Sequence, residues 1–252
     1  MNKQLFHDAL YKITNNDYTR QGIGTLGERT LHAVLKHYFE PDENSHEIKL
    51  GGYVADIAGE DGVIEIQTRA FENLRRKLER FLEVTAVTVV YPVADTKWLI
   101  WRDMETGEIT KKRKSPKRGS HYDIFFELYK IKHLLSNENL RLCIVVLDIE
   151  EYRDLNGWSH DKKRGSRRFE RIPTDIKDEI YINNVSDYIK LIPDGLPEEF
   201  TTRDFKAAAK LSLRAAGLAV NVLNSVGTIK RIGKQGRSFV YQITNHKLQS
   251  TN

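Results

Sequence analysis

Asp56 stands in the short alternating run YVADIAG, and Glu65-Ile66-Gln67 follows nine residues later in GVIEIQ. Period-two alternation places Glu65 and Gln67 on one face of the second run, opposite Ile64 and Ile66. A hairpin between the two runs brings Asp56 beside Glu65. Two adjacent carboxylates repel unless a cation lies between them, and hard oxygen donors suit Mg²⁺, with Mn²⁺ able to substitute. A magnesium held this way orients an attacking water and stabilises charge developing on a phosphate. Glu28, in GERTLH, is a further acid. It fits a helix capping box with Thr25. It also falls three and seven residues before Leu31 and Leu35, on the apolar face, where a carboxylate needs a partner.

The elements that must position these residues follow from local pattern. KQLFHDALYKIT reads as a short amphipathic helix, and Leu31, Val34, Leu35 and Tyr38 repeat at helical spacing before Pro41 ends the second one. HEIKL, YVADIAG and GVIEIQ are strands separated by GG and GEDG turns. In AFENLRRKLERFLEV the residues Phe71, Leu74, Leu78 and Leu82 share a face opposite the charges. VTAVTVVYPV is a buried strand. The order is helix, three strands, helix, strand, which suits a mixed sheet with a crossover helix. A hairpin with KWLIW and EITKK around METG follows, then a basic stretch over 111–120, a helix in HYDIFFELYKIKHLL and a strand in LRLCIVVLDIEEY. Residues 157–171 read as a flexible basic loop. The basic stretches 111–118 and 160–171 either flank a DNA groove or are solvated loops. Trp98, Trp101 and Trp158 read as core or hairpin aromatics.

The C-terminal fifth has its own character. Residues 201–252 hold nine Lys/Arg and one acid, Asp204, so this segment carries +8 while residues 1–200 carry −3. That asymmetry points to a polyanion partner. After the two prolines of LIPDGLPEEF, TTRDFKAAAKLS reads as a helix capped by Thr202. SLRAAGLAVNVLNSVG reads as a second helix, capped by Ser212. GTIKRIGKQGRSFVYQIT reads as two strands about a basic glycine turn. Helix, tight turn, helix and hairpin describe a winged helix-turn-helix, in which the second helix enters the major groove and the hairpin touches backbone. Leu213, Leu218, Val220, Val222, Leu223 and Val226 would pack that helix. Arg214, Asn221 and Asn224 would reach bases or phosphates. Lys230, Arg231, Lys234 and Arg237 would neutralise phosphates on the wing. A basic module of this kind also accommodates RNA, and winged helices can bind proteins instead.

Composition bounds the rest. Apolar residues make up 40% of the 252, enough for a packed core. No apolar run spans a membrane and the N-terminus is not a signal peptide, so a soluble cytoplasmic protein is expected. The lone Cys143, in an apolar run, reads as a small buried side chain. The histidines lack metal-binding spacing: His32 and His37 fall on different helix faces, and His46 and His160 stand alone. There is no phosphate-binding G-x-x-x-x-G-K-[ST] sequence.

Over roughly residues 20–93 the acids and the element order resemble the PD-(D/E)XK nuclease superfamily. The resemblance implies a restriction-endonuclease-like α/β domain, a mixed sheet flanked by helices, over 1–195, with the winged helix over 198–245. It implies a metal-dependent endonuclease hydrolysing DNA phosphodiesters. Asp56 and Glu65 would hold the ion, Glu28 would assist from the helix, and Gln67 would occupy the lysine position and orient the water. Two departures stand out: alanine precedes Asp56 where the family has proline, and the lysine that positions water is glutamine here. Lys77, on the following helix, is a substitute amine or part of a solvated face. A catalytically inactive DNA-binding protein of the same fold, a transcriptional regulator or scaffold, is the alternative. A homodimer would fit a superfamily whose members often cut both strands as dimers.

Overall fold

The computed structural model describes residues 1–15, 30–103, 105–155 and 167–244. The chain runs through α1 (Lys3–Asn15), α2 (Thr30–Phe39), β1 (His46–Leu50), β2 (Tyr53–Gly59), β3 (Gly62–Ile66), α3 (Phe71–Leu82), β4 (Val87–Arg102), β5 (Arg113–Lys114) and α4 (Phe125–Leu128). It continues with β6 (Leu140–Asp154), β7 (Arg167–Ile182), β8 (Glu199–Thr201), α5 (Thr202–Ala209), α6 (Leu213–Ser225), β9 (Ile229–Gln235) and β10 (Ser238–Ile243). The fold is mixed α/β. One sheet has the order β1-β2-β3-β4-β6-β7 with β5 on β4, and a second has the order β8-β10-β9. β2 and β3 are antiparallel, β3 and β4 parallel, so the larger sheet is mixed. Among the described residues no helix is long and apolar enough to cross a membrane.

Two compact units each draw on three stretches of chain: 1–48, 92–120 and 145–179 in the first, and 49–91, 121–144 and 180–252 in the second. β1, β4, β6 and β7 each contribute residues to both units.

In the first unit, Phe6 of α1 meets the Tyr38 ring of α2 edge-on, with centroids 5.8 Å apart. The hairpin after β4 forms with less pairing than its sequence suggests. Trp98 and Leu99 face Lys114 and Arg113, and a single bridge joins Arg102 to Ile109. The loop expected over 157–171 is corrected in its second part, since β7 opens at Arg167; residues 156–166 lie outside the described residues. The loop reading rests on the density of charge in 157–171, which hides the start of the strand. β7 is the last strand of its sheet, where the missing N–H of Pro173 need not break a ladder.

In the second unit, α3 buries Phe71, Leu74, Leu78, Phe81 and Leu82, the expected stripe plus one aromatic ring. The helix expected over 121–135 is α-helical only at Phe125–Leu128, flanked by 3-10 turns. Ile124, Phe125, Leu128, Ile131 and Leu135 are nonetheless all buried, so the periodicity was real while the winding tightened. The turn Gly59–Gly62 fixes how β2 meets β3. Gly62 has φ +114°, and a Cβ there would collide with the Ala86 carbonyl, which accepts the Val63 N–H at 2.9 Å. Only glycine brings β3 this close to the chain entering β4.

Candidate functional site

The acidic pair and its neighbours belong to the second unit. The β2–β3 register pairs Gly59 with Gly62, Ala58 with Val63 and Ile57 with Ile64. One further step sets Asp56 opposite Glu65. There the carboxylates take over from the ladder: Ile66 N–H donates to Asp56 Oδ2 at 2.8 Å, and Asp56 N–H donates to Glu65 Oε1 at 3.3 Å. The structure thus brings together the two acids that the sequence proposed as partners. Glu65 is only 2% exposed. Burial, helped by the nearby Asp56 carboxylate, pushes its carboxyl up to about 7, while Lys77 pulls the other way.

Lys77 is the unexpected member. Its Nζ lies 2.5 Å from Glu65 Oε2, with a side chain only 17% exposed, so it does not belong to a solvated helix face. An ammonium can donate to a carboxylate oxygen or, more weakly, to the carbonyl oxygen of a neutral carboxyl, so this contact is compatible with either state of Glu65. The signal in the sequence was only partial, since the spacing does not by itself turn this cation inward rather than its neighbours. Lys77 follows Leu74 by three residues and precedes Phe81 by four, at the margin of the buried stripe. Its Nζ also sits 5.7 Å from the Phe81 ring centre.

Gln67 lies just past β3. Its N–H continues the parallel ladder to the Val90 carbonyl at 2.9 Å, and its side-chain Nε2 donates to the Arg69 carbonyl at 2.5 Å. The side chain thus braces the 67–69 turn. Ala70 follows with φ +62°, a left-handed conformation that costs a non-glycine residue about 1 kcal/mol or more. The N-terminus of α3 then docks on Glu127, whose Oε2 accepts the Phe71 N–H at 2.9 Å and the Lys130 ammonium at 3.0 Å. Nothing in the sequence marked Glu127. It acts by fixing the start of the helix that carries Lys77. Glu28 lies outside the described residues.

The described residues contain no group of three His, Cys, Asp or Glu side chains arranged to hold a metal. His46 does not stand alone: in the first unit its ring lies 4.9 Å from that of His37. Cys143 is buried and not in a disulfide.

The C-terminal elements are also in the second unit. α5 is capped by Thr201 rather than Thr202. The Thr201 hydroxyl accepts from the N–H groups of Arg203 and Asp204, and Asp204 Oδ2 accepts the Thr201 N–H at 2.7 Å. Placing the cap one residue earlier completes a reciprocal box that Thr202 could not make. Ser212 caps α6 as expected, accepting from Ala215 N–H. Val220, Val222, Leu223 and Val226 are buried, but Leu213, directly after the cap, is 54% exposed and does not pack. Arg214, Asn221 and Asn224 are exposed, as are Lys230, Arg231, Lys234 and Arg237 of the β9–β10 hairpin. Two of these have structural duties. Asn221 Oδ1 accepts from Lys132 Nζ at 3.0 Å, and Asn224 Oδ1 accepts from Arg231 N–H at 3.2 Å. The Arg231 guanidinium stacks on Phe239, 3.3 Å from its ring centre.

A family model described as "Domain of unknown function (DUF8091)" matches residues 29–183, which include Asp56, Glu65, Gln67 and Lys77 and stop short of α5, α6 and their hairpin. The chain is 31% identical over 229 residues to an uncharacterized protein of Treponema pallidum (strain Nichols), covering 87% of each chain. No solved structure matches. On the extent of these two matches, the chain belongs to the family described as a domain of unknown function, DUF8091.

Proposed function

We propose that this protein is a metal-dependent nuclease that hydrolyses DNA phosphodiesters and is recruited to DNA by its C-terminal helices and hairpin, acting as a winged helix-turn-helix. The observation that carries the reading is that Glu65 meets both Asp56 and Lys77. The resemblance to PD-(D/E)XK nucleases asks for two acids and an amine, and the strand position for the amine holds Gln67. Lys77 brings an ammonium to the acids from α3 instead.

The donor set fits Mg²⁺, which commonly takes one or two carboxylates and fills its remaining positions with water and substrate oxygens. Asp56 and Glu65 would hold the ion. When bound, it would supply Lewis-acid stabilisation to a phosphate and lower the pKa of a water. Lys77 would place a fixed positive charge beside the reacting phosphate, where a preorganised charge in a buried site is worth most. Gln67 would keep the 67–69 turn in shape and so hold Glu65 at the strand end. On the C-terminal module, Arg214 of α6 and the wing residues Lys230, Lys234 and Arg237 would supply the phosphate contacts, with Arg231 held flat on Phe239.

The deciding experiment is cleavage of supercoiled plasmid and linear duplex with Mg²⁺, Mn²⁺ or EDTA, comparing the parent chain with Asp56→Ala and Lys77→Met. Metal-dependent nicking that disappears in both variants supports the reading; nicking that persists in both overturns it. A second reading, a catalytically silent DNA-binding protein of the same fold, draws on two contacts. The Gln67 amide is spent on the Arg69 carbonyl and the Lys77 ammonium on Glu65. Salt-sensitive DNA binding without cleavage under any metal would favour it.

A further inference from the structure

The first unit carries a second concentration of positive charge, remote in sequence from the C-terminal module. Residues 111–118 (KKRKSPKR) hold six Lys/Arg and no acid, and all six are exposed. The stretch is fixed rather than loose. Ser115 N–H donates to the Lys97 carbonyl at 2.8 Å, Gly119 N–H to the Ala94 carbonyl at 2.7 Å, and Lys117 N–H to Ser115 Oγ at 3.2 Å. Two of its cations are already paired: Lys112 with Glu150 at 3.0 Å and Arg118 with Asp95 at 2.8 Å. Lys111, Arg113, Lys114 and Lys117 face no acid among the described residues.

Two half-buried indoles lie against these cations, one on each face of the hairpin. The register that pairs Trp98 with Lys114 and Leu99 with Arg113 puts Trp98 on the face of Lys114 and Trp101 on the face of Arg113. Lys112 and Lys114 sit over Trp98, 5.5 and 6.0 Å from the ring centre, and Arg113 sits over Trp101 at 5.6 Å. Lysines on an edge strand can serve merely to deter pairing with another sheet. β5 is only two residues long, and that role would not require cations along eight residues or aromatic rings against three of them.

We propose that this β4–β5 hairpin is a binding surface for single-stranded nucleic acid. Phosphates are taken by Lys111, Arg113, Lys114 and Lys117, and a base stacks on Trp98 as the flexible lysine ammoniums move from the indole face to the backbone. Cations interleaved with aromatic rings match a polymer of alternating phosphate and flat base. Only an unpaired base can reach a ring set into a hairpin, which favours a single strand over a duplex. An acidic protein would use the cations and leave the indoles idle. Because the stretch is already fixed to β4, little ordering is needed on binding.

The test uses the full chain with Lys230, Arg231, Lys234 and Arg237 changed to Ala, so that the C-terminal hairpin cannot mask the result. It is run in EDTA, so that it stands apart from cleavage. Binding of a labelled oligothymidylate is followed by anisotropy across a salt series. Adding Lys111→Ala, Arg113→Ala, Lys114→Ala and Lys117→Ala should weaken binding about ten-fold or more and reduce the slope of log affinity against log salt by roughly 2 to 3. In the same chain with Trp101→Phe and Trp158→Phe, emission from Trp98 should be quenched by the oligonucleotide. Unchanged affinity and slope overturn the proposal. So do equal affinity for a duplex of the same length, displacement by polyglutamate at matched charge, or a silent Trp98.

Discussion

Lys77 of α3 reaches Glu65 of β3 at 2.5 Å, joining a helix to the strand it follows through an ammonium and a nearly inaccessible carboxyl. Removing the ammonium by Lys77→Met leaves Glu65 with no counter-charge. A loss of about 2–3 kcal/mol is expected at pH 8, and less at pH 6, where Glu65 relieves itself by taking a proton. Urea unfolding at the two pH values measures this, and Lys77→Arg should recover most of it.

Stability should also depend on pH through Glu65. Its folded pKa, about 7, lies above the ordinary 4.5, so the folded state binds this proton more tightly than the unfolded chain. The resulting stabilisation is complete below about 4.5 and is lost as pH rises through about 7; the total is at most about 3 kcal/mol, at 1.36 kcal/mol per unit. Glu65→Gln should flatten the unfolding profile over that window. Mg²⁺ should stabilise the parent more at pH 8 than at pH 6, because protons compete with it for the same oxygens. A magnesium effect that survives in Glu65→Gln unchanged would count against the site.

Gly62→Ala should destabilise the protein by about 2–4 kcal/mol. It forces a side chain into a backbone conformation that residues with a Cβ rarely adopt, and against the Ala86 carbonyl. Because the same turn sets the register of Asp56 against Glu65, metal binding should weaken in the refolded variant as well. Denaturation midpoints and a magnesium titration check both effects.

The caps provide a sharper comparison. Thr201→Ala should cost about 1 kcal/mol by dismantling the box with Asp204, while Thr202→Ala, one residue away, should be nearly silent.

Asn224→Ala should lower stability by about 1 kcal/mol without altering any preference among DNA sequences, since its oxygen is committed to the Arg231 N–H. Changing Lys230, Lys234 and Arg237 together to Ala should instead leave stability nearly unchanged and reduce the salt slope for duplex DNA by about 2–3. A binding-site selection experiment on both variants separates the two roles.

Much of this site was legible in the sequence because it rests on short-range pattern. Alternation in YVADIAG and GVIEIQ, with a tight turn between them, was enough to set Asp56 against Glu65. The caps and the C-terminal hairpin were written locally too, to within one residue. What stayed hidden depends on contacts between distant segments. Glu127 meets the start of α3 across 56 residues of chain. Lys77 looked like one cation among several because its neighbours Arg75, Arg76 and Arg80 share its type, and only the packing of α3 selects the one that turns inward. The start of β7 was hidden by its charge, because basic residues read as a solvated loop unless the sheet they join is known.

The position of Lys77 on a helix has a mechanical consequence. An amine two residues along the same strand as an acid is held at a spacing set by the pleat, roughly 7 Å, which the chain cannot change without breaking the strand. Here the spacing between amine and acid is set by how α3 beds down on Phe71, Leu74, Leu78 and Phe81. Trimming Leu78, or prying the helix start from Glu127, would shift the ammonium like the far end of a lever while leaving both carboxylates where they are.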